Sequence, residues 1–229
     1  MLTVHHLDNS RSLRVLWMLE ELGLEYELKQ YARDAKTMLA PPELRAVHGL
    51  GKAPVLQDGE FVLAESGAIL DYLADRYDSE RVLSPPPLPA TTEERMAYRY
   101  WLHYAEGSAM PPMLLTLVMA RIRSAPMPFF ARPIARAIAD KAESGFIGPQ
   151  RRLHLQWMEQ RLAQSPWFAG KRFTAADIQM SFPIQAAASR GDGLDATPAL
   201  KSFLQRIEQR PGYQRAIERG GALQALGGR

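Results

Sequence analysis

The sequence predicts two structural classes in one chain, a small α/β layer followed by an all-α part. Strand and helix signals alternate from Leu2 to Tyr77. A proline-dense stretch, Ser84-Pro85-Pro86-Pro87-Leu88-Pro89, then stiffens the chain. Beyond it strand signals nearly vanish, and two helix-opening capping boxes appear, Thr91–Glu94 and Thr174–Asp177. The expected division is one domain over residues 1–78, a proline-rich linker over 79–90 and a helical domain over 91–229.

Each element has its own signature. Leu2 to His6 reads as a short strand. Val15, Met18, Leu19 and Leu22 recur at helical spacing, and Gly23 stands where a C-terminal cap belongs. Leu24, Tyr26 and Leu28 alternate with Glu25, Glu27 and Lys29, a second strand. A weaker helix is expected from Lys36 to Val47, disturbed by Pro41-Pro42. Pro54–Gln57 and Glu60–Leu63 form a hairpin around Asp58-Gly59. Ile69, Tyr72, Leu73 and Tyr77 mark the apolar face of the next helix. The order is βαβ, α, ββα, which implies a mixed sheet.

In the second part, Pro111-Pro112 is expected to kink or break the long helix opened at Thr91. Ser124 to Pro133, with three prolines and Phe129-Phe130, is a broken stretch. Ser144 to Ala163 reads as a helix with Leu153, Trp157 and Leu162 on its inner side. The Thr174 box opens a buried helix through Phe182 and Ile184, and Leu200–Ile207 and Tyr213–Leu226 are the last helices.

Composition removes several function classes. The chain has 229 residues, 46% of them hydrophobic, enough for a substantial core. The net charge is +3, and the basic residues are scattered instead of forming the stripe a nucleic-acid or anionic-membrane surface needs. There is no cysteine, so disulfides, thiolate metal sites and cysteine nucleophiles are excluded, and no metal is expected. The N-terminus lacks the charged and apolar regions of a signal peptide, and no apolar run approaches the ~18 residues of a membrane span. The expectation is a soluble, cytoplasmic protein.

Three short segments carry possible chemistry. Asn9-Ser10-Arg11-Ser12, between the first strand and helix, sets hydroxyls beside the free N–H groups of a helix start, a place that stabilises an anion, including a thiolate. Plain N-capping by Ser10 or Ser12 fits the same residues. Lys52-Ala53-Pro54 begins a strand with a residue that has no N–H, leaving the Ala53 backbone open to an extended peptide, with Lys52 able to meet a carboxylate. Glu65-Ser66 opens the third helix, where Ser66 can meet a carboxylate and Glu65 an ammonium group; ordinary capping again fits.

Together these segments describe a groove with a hydroxyl for a thiolate, a strand-like edge and a clamp for an amino acid. The run G-K-A-P-V-L-Q-D-G-E-F-V-L-A-E-S-G-A-I-L-D-Y-L, Gly51 to Leu73, resembles the glutathione-binding signature of the cytosolic glutathione S-transferases. A second run, Phe168-Ala169-Gly170-Lys171-Arg172-Phe173-Thr174-Ala175-Ala176-Asp177-Ile178, is similar to the helix-capping motif of the same family's all-α domain. The resemblance, to serine-type members of bacterial and fungal kind, spans nearly the whole chain. It implies a thioredoxin-like N-terminal domain (βαβαββα) and an all-helical C-terminal domain. It also implies glutathione as co-substrate, a small hydrophobic electrophile as second substrate and a homodimer. Ser10 would be the catalytic hydroxyl, with Asn9 and Ser12 as alternatives, because Ser10-Arg11-Ser12 departs from the family's frequent Ser-x-Pro. Gly49 departs as well, where a proline is usual before Gly-Lys. Ala53, across a cis Pro54, would pair with the cysteinyl backbone of glutathione, Glu65 and Ser66 would hold its γ-glutamyl end, and Lys52 would approach its glycyl carboxylate.

On the first long helix, Tyr98, Trp101, Tyr104, Met110 and Met113 are candidates for the electrophile's apolar wall, although their helical spacing fits a core at least as well. Two other readings stay open. One is glutathione-dependent reduction of peroxides or disulfides at the same site. The other is a non-enzymatic, glutathione-binding regulatory protein, against which the intact Lys52, Ala53-Pro54 and Glu65-Ser66 argue.

Overall fold

The structure, a computed structural model, describes residues 1–85, 92–189 and 196–223. The first part runs β1 (Leu2–Leu7), α1 (Leu13–Leu22), β2 (Tyr26–Tyr31), α2 (Glu43–Val47), β3 (Val55–Asp58), β4 (Phe61–Ala64) and α3 (Ser66–Tyr77). The sheet order is β2-β1-β3-β4, with β1 parallel to β2 and β3 antiparallel to both neighbours. Every residue of β1 is buried, His5 and His6 included. Helix α1 is buried from Leu13 to Leu19, because α3, α8 (Ala175–Ala188) and α10 (Pro211–Gly220) all pack against it. It ends as its sequence predicts, at Gly23 with φ +65° and an N–H bonded to the Leu19 carbonyl.

Two elements differ from the sequence reading. Helix α2 keeps only Glu43–Val47, because Pro42 stands at its N-cap and a residue before proline avoids helical backbone. Upstream, Asp34 closes a turn by accepting from the N–H groups of Lys36 and Thr37. The hairpin loop is Gly59-Glu60, one residue later than expected: Asp58 pairs with Phe61, and Gly59 supplies the left-handed φ of +63°.

The second part contains α4 (Thr92–Tyr104), α5 (Met110–Ser124), α6 (Arg132–Ala142), α7 (Gly148–Gln164) and α8, then α9 (Pro198–Glu208) and α10. Pro111-Pro112 does not break its helix. A π-helical turn, Ala105–Ala109, joins α4 to α5, and the Met110 N–H reaches five residues back to Ala105. A second π turn, Glu143–Ile147, joins α6 to α7 just before Pro149, with the Gly148 N–H bonded to Glu143. Proline has no N–H and its ring collides with the carbonyl four residues back. The wider π turn occupies those positions and lets the helix continue.

On α7 the inner side is Leu155, Met158 and Leu162; Leu153 and Trp157 are 57% and 46% exposed, contrary to expectation. Tyr98, Trp101, Tyr104, Met110 and Met113 are buried core residues, and none of them lines the cavity beside Asn9. The Thr174–Asp177 capping box forms with both reciprocal bonds. Helix α10 stops at Gly220, where Gly221 takes φ +79°. Pro86–Pro89 of the expected linker, Thr91 of the first capping box and Leu226 of the expected last helix lie outside the described residues.

Although α10 is last in sequence, it packs on α1. Arg210 forms two hydrogen bonds of 2.7 Å with Glu21, and Arg215 and Arg219 reach Glu20. Trp17 meets Tyr213 edge-on with ring centroids 5.0 Å apart. Helix α10 thereby braces the helix that carries the Ser10 loop.

Candidate functional site

The sheet register brings the three segments together. His5 pairs with Val55, so Pro54 and Ala53 continue beside the end of β1, next to the loop that holds Asn9 to Ser12. Val55 also pairs with Ala64, which sets Glu65 and Ser66 on the other side of the same strand start. The Ala53–Pro54 peptide is cis. Lys52 is exposed at the rim, Ala53 partly exposed and Pro54 buried.

Two non-glycine residues of this end have left-handed backbone, Asn9 at φ +50° and Glu65 at φ +73°. Asparagine adopts that region readily, whereas glutamate there is a strained choice of the kind concentrated at functional sites. Neither α1 nor α3 receives a side-chain cap from its N-cap residue, Ser12 or Glu65; at α1 the first N–H groups bond instead to the carbonyls of Ser10, Arg11 and Ser12. Capping, the ordinary reading of these serines, therefore does not describe Ser12 or Ser66.

The hydroxyls are occupied in another way. Ser10 Oγ lies 2.7 Å from Ser12 Oγ and accepts from the Ser12 N–H at 3.2 Å. Ser12 Oγ lies 2.8 Å from Nδ1 of His6, whose Nε2 meets the Gly220 carbonyl at 2.8 Å. Ser10 and Ser12 are both buried.

A second polar cluster supports Ser66. Its Oγ accepts from Arg14 Nη1 and from Gln179 Nε2, each at 3.1 Å. With both lone pairs used, the Ser66 proton is left to donate to another group. Arg14 also donates to Glu106 at 2.7 Å, and Arg11 Nε donates to both Glu106 oxygens at 2.9 Å. Glu106 comes from the π turn between α4 and α5, so that turn sets a carboxylate against two arginines of the first part. Both guanidinium groups lie 5.0 Å from the Phe182 ring. Burial pushes Arg14 down to about 10, with Glu106 acting in the opposite direction. Burial would raise Glu106, but the two arginines hold its carboxyl below the usual glutamate range. Arg14 Nε and Nη2 find no hydrogen-bond partner among the described residues.

A cavity of about 430 Å³ opens beside Asn9, lined by Phe182 and Ala186 of α8, Leu204 of α9, Tyr213 of α10 and Leu223. Gln185, Ser189 and Glu208 also line it, and its size and mixed polar and apolar lining suit a small organic molecule.

Asn9, Ser10, Ser12, Lys52, Ala53, Pro54, Glu65 and Ser66 are candidates by sequence; His6, Arg14, Glu106 and Gln179, which the structure sets against Ser12 and Ser66 and their partners, are not. Arg14 lies in a predicted apolar helix and His6 in a predicted strand. Glu106 and Gln179 lie 92 and 113 residues from the partners they meet. No local spacing announces any of them.

Comparison with known proteins agrees with the fold. The family profile described as glutathione S-transferase, N-terminal domain, matches residues 1–75, and its C-terminal counterpart matches residues 138–211. Glutathione S-transferase 1 of Saccharomyces cerevisiae is 34% identical over 96% of this chain and 95% of its own length. Glutathione S-transferase 3 of Schizosaccharomyces pombe is 36% identical over 96% and 88%. The crystal structure of a glutathione S-transferase from Actinobacillus pleuropneumoniae superposes with a TM-score of 0.78 at 36% identity, covering 97% and 94% of the two chains. A family member from Pseudomonas fluorescens, crystallised with two glutathione molecules bound, gives 0.72 at 25% identity over 95% and 92%.

Proposed function

This chain belongs to the glutathione S-transferase family and is a glutathione transferase, with glutathione as co-substrate; from that premise we propose which residues bind and activate the tripeptide. Ser10 is the hydroxyl that faces the cysteinyl sulfur. Ala53 offers its backbone to the cysteinyl unit, Glu65 and Ser66 take the ammonium and carboxylate of the γ-glutamyl end, and Lys52 approaches the glycyl carboxylate. The observation that carries the assignment is the convergence of the loop before α1, the start of β3 and the start of α3 at one end of the sheet. The two donors on the Ser66 hydroxyl support its share, since they leave its proton for an incoming acceptor.

A free thiol has a pKa near 8.5, so only a small fraction is thiolate at neutral pH. A hydroxyl hydrogen bond together with the positive end of the α1 dipole lowers that value by about two units, roughly 2.7 kcal/mol. The bound thiol is then mostly nucleophilic, and it attacks an electrophile held next to it with no covalent enzyme intermediate. The electrophile is a small hydrophobic molecule seated in the cavity beside Asn9 and Phe182, and the reaction is conjugation in a detoxifying role.

The protein acts as a cytoplasmic homodimer. Among the described residues, no helix is long and apolar enough to cross a membrane. Met96 and Tyr100 of α4 and Leu153 and Trp157 of α7 are exposed, and the Trp157 Nε1–H donates to Tyr100 Oη at 3.1 Å. Such a stripe, with exposed Phe61 on β4, suits the contact of the α3 side of one subunit with the helices of its partner. Light scattering at micromolar concentration is expected to give twice the chain mass.

The functional test is a turnover panel with glutathione and an aryl halide, a hydroperoxide and a mixed glutathionyl disulfide. Aryl halide conjugation that falls sharply in Ser10→Ala is the expected result. Turnover of the hydroperoxide or disulfide alone makes the protein a reductase, and full conjugation by Ser10→Ala moves the role to Asn9 or Ser12.

A further inference from the structure

His6 lies buried in β1, with its Nε2 against the carbonyl of Gly220, the last residue of α10. A carbonyl only accepts, so Nε2 carries the ring proton and Nδ1 of the neutral imidazole is an acceptor. Ser12 Oγ, 2.8 Å from Nδ1, donates to it; the Leu7 carbonyl, at 3.3 Å, is the poorer acceptor. With its one proton committed, Ser12 Oγ accepts from the Leu7 N–H at 3.1 Å and from Ser10 Oγ at 2.7 Å. Both hydroxyl protons thus point inward, and one Ser10 lone pair is left beyond its bonds to the Ser12 hydroxyl and N–H. A bound thiol placed there can donate to Ser10 and not the reverse.

We propose that Ser10, Ser12 and His6 form a proton relay that takes the thiol proton of glutathione into the protein and later returns it. The proposal rests on the assignment of Ser10 as the sulfur-facing hydroxyl. As the S–H bond breaks, its proton bonds to Ser10 Oγ. The original Ser10 proton passes to Ser12 Oγ, and the Ser12 proton passes to Nδ1 of His6. The products are a thiolate and an imidazolium, balanced without another reactant. Both hydroxyls now point outward, so Ser10 donates to the thiolate just formed. When sulfur has attacked, the same steps run backwards and deliver the proton to the leaving group or to the anion of an added electrophile. Ser10 is the catalytic residue of the three, and Ser12 and His6 are positioning residues that act through it.

The surroundings of His6 suit a proton held on loan. Burial keeps the resting ring neutral by lowering its pKa, while the Gly220 carbonyl and Asp8, at the end of the same strand, oppose that shift. The Gly220 carbonyl belongs to the negative end of the α10 dipole, which favours a transient imidazolium. The Ser12 hydroxyl, from the start of α1, completes the polar groups bonded to the ring. Glycine eases this approach: a Cβ on residue 220 would come within 2.5 Å of Leu16 Cδ1 and 3.1 Å of His6 Cε1, so both side chains would have to shift. The carbonyl that fixes the tautomer lies 214 residues from His6.

The test is stopped-flow formation of the enzyme-bound thiolate, followed by its ultraviolet absorbance in mixtures of light and heavy water. Wild type is expected to give a bowed proton inventory, because several protons move together. Ser12→Ala and His6→Gln are expected to slow thiolate formation roughly 100-fold and to straighten the inventory, with KM for glutathione within about twofold of wild type. A linear inventory in wild type, which needs no variant to fold, overturns the relay, as does normal thiolate formation in Ser12→Ala. Ser10→Ala measured alongside separates the two assignments. If it is impaired while Ser12→Ala is normal, Ser10 keeps its role and only the relay falls; if it forms thiolate normally, the Ser10 assignment itself fails.

Discussion

The start of α8 and the starts of α1 and α3 are all polar, yet they use their polar groups in opposite ways. At α8, Thr174 and Asp177 close a reciprocal capping box. Asp177 Oδ1 accepts from the Phe168 N–H at 2.7 Å, and Oδ2 accepts from the Thr174 N–H and hydroxyl at 2.8 and 3.1 Å. Burial pushes the Asp177 carboxyl up to about 7 against the pull of these donors. At α1 and α3 the N-cap side chains leave the first-turn N–H groups alone. Ser12 bonds backwards to His6, and Glu65 holds a strained backbone. A helix start capped by its own side chains holds the fold together; at α1 the carbonyls of Ser10, Arg11 and Ser12 answer the first N–H groups, which frees the serine hydroxyls for the polar cluster of the candidate site.

The contrast can be broken by exchanging the two kinds of defect. Asp177→Ala strips acceptors from two buried backbone N–H groups and removes the box, and is expected to cost about 4 kcal/mol of stability. The melting temperature should fall by roughly 10 °C, while conjugation per folded molecule at low temperature is unchanged. Calorimetry and turnover on the same sample check both halves.

Ser10→Ala is expected to do the reverse. It should lower kcat/KM for conjugation roughly 100-fold, the counterpart of about 2.7 kcal/mol, with a fall in melting temperature of only a few degrees from the lost acceptor of the Ser12 N–H. A large fall in melting temperature would place Ser10 with the structural helix starts instead.

Glu106→Gln lies between the two regions, because the residue both joins the two parts of the chain and neutralises Arg14. Leaving the buried guanidinium without its carboxylate is expected to cost about 2 kcal/mol at neutral pH, below the fully buried range because Glu106 remains partly exposed. The folded-state pKa of Glu106 is depressed, so its contribution is present above the ordinary glutamate pKa and is lost as pH falls through the lowered folded value. Urea midpoints measured from neutral pH into acid should therefore converge for wild type and Glu106→Gln at the acid end.

Lys52→Ala should have the smallest effect. An exposed lysine facing a carboxylate changes KM for glutathione by about threefold, with kcat and stability unchanged. Initial rates at varied glutathione check it.

Much of this molecule was legible in the residue order, because helix periodicity, strand alternation and capping chemistry act over a few neighbours. The Gly23 cap, the Thr174–Asp177 box, the βαβ, α, ββα order and the Ser10, Ala53-Pro54 and Glu65-Ser66 segments all follow from local pattern. Where two local patterns competed, sequence alone chose wrongly. Helix α7 carries two apolar stripes, and only packing decides that Leu155, Met158 and Leu162 face inward while Leu153 and Trp157 stay exposed. Pro111-Pro112 read as a break, but a π turn absorbs it and in doing so presents Glu106 to Arg11 and Arg14. The pairing of His6 with Gly220, of Arg14 with Glu106 and of Ser66 with Gln179 was settled by the tertiary structure alone. Each joins residues far apart in the chain, and a buried polar group is tolerable only where the whole fold supplies its partner. The sequence by itself determined most of the elements and the three candidate segments of the site; the packed fold decided which buried groups those segments meet.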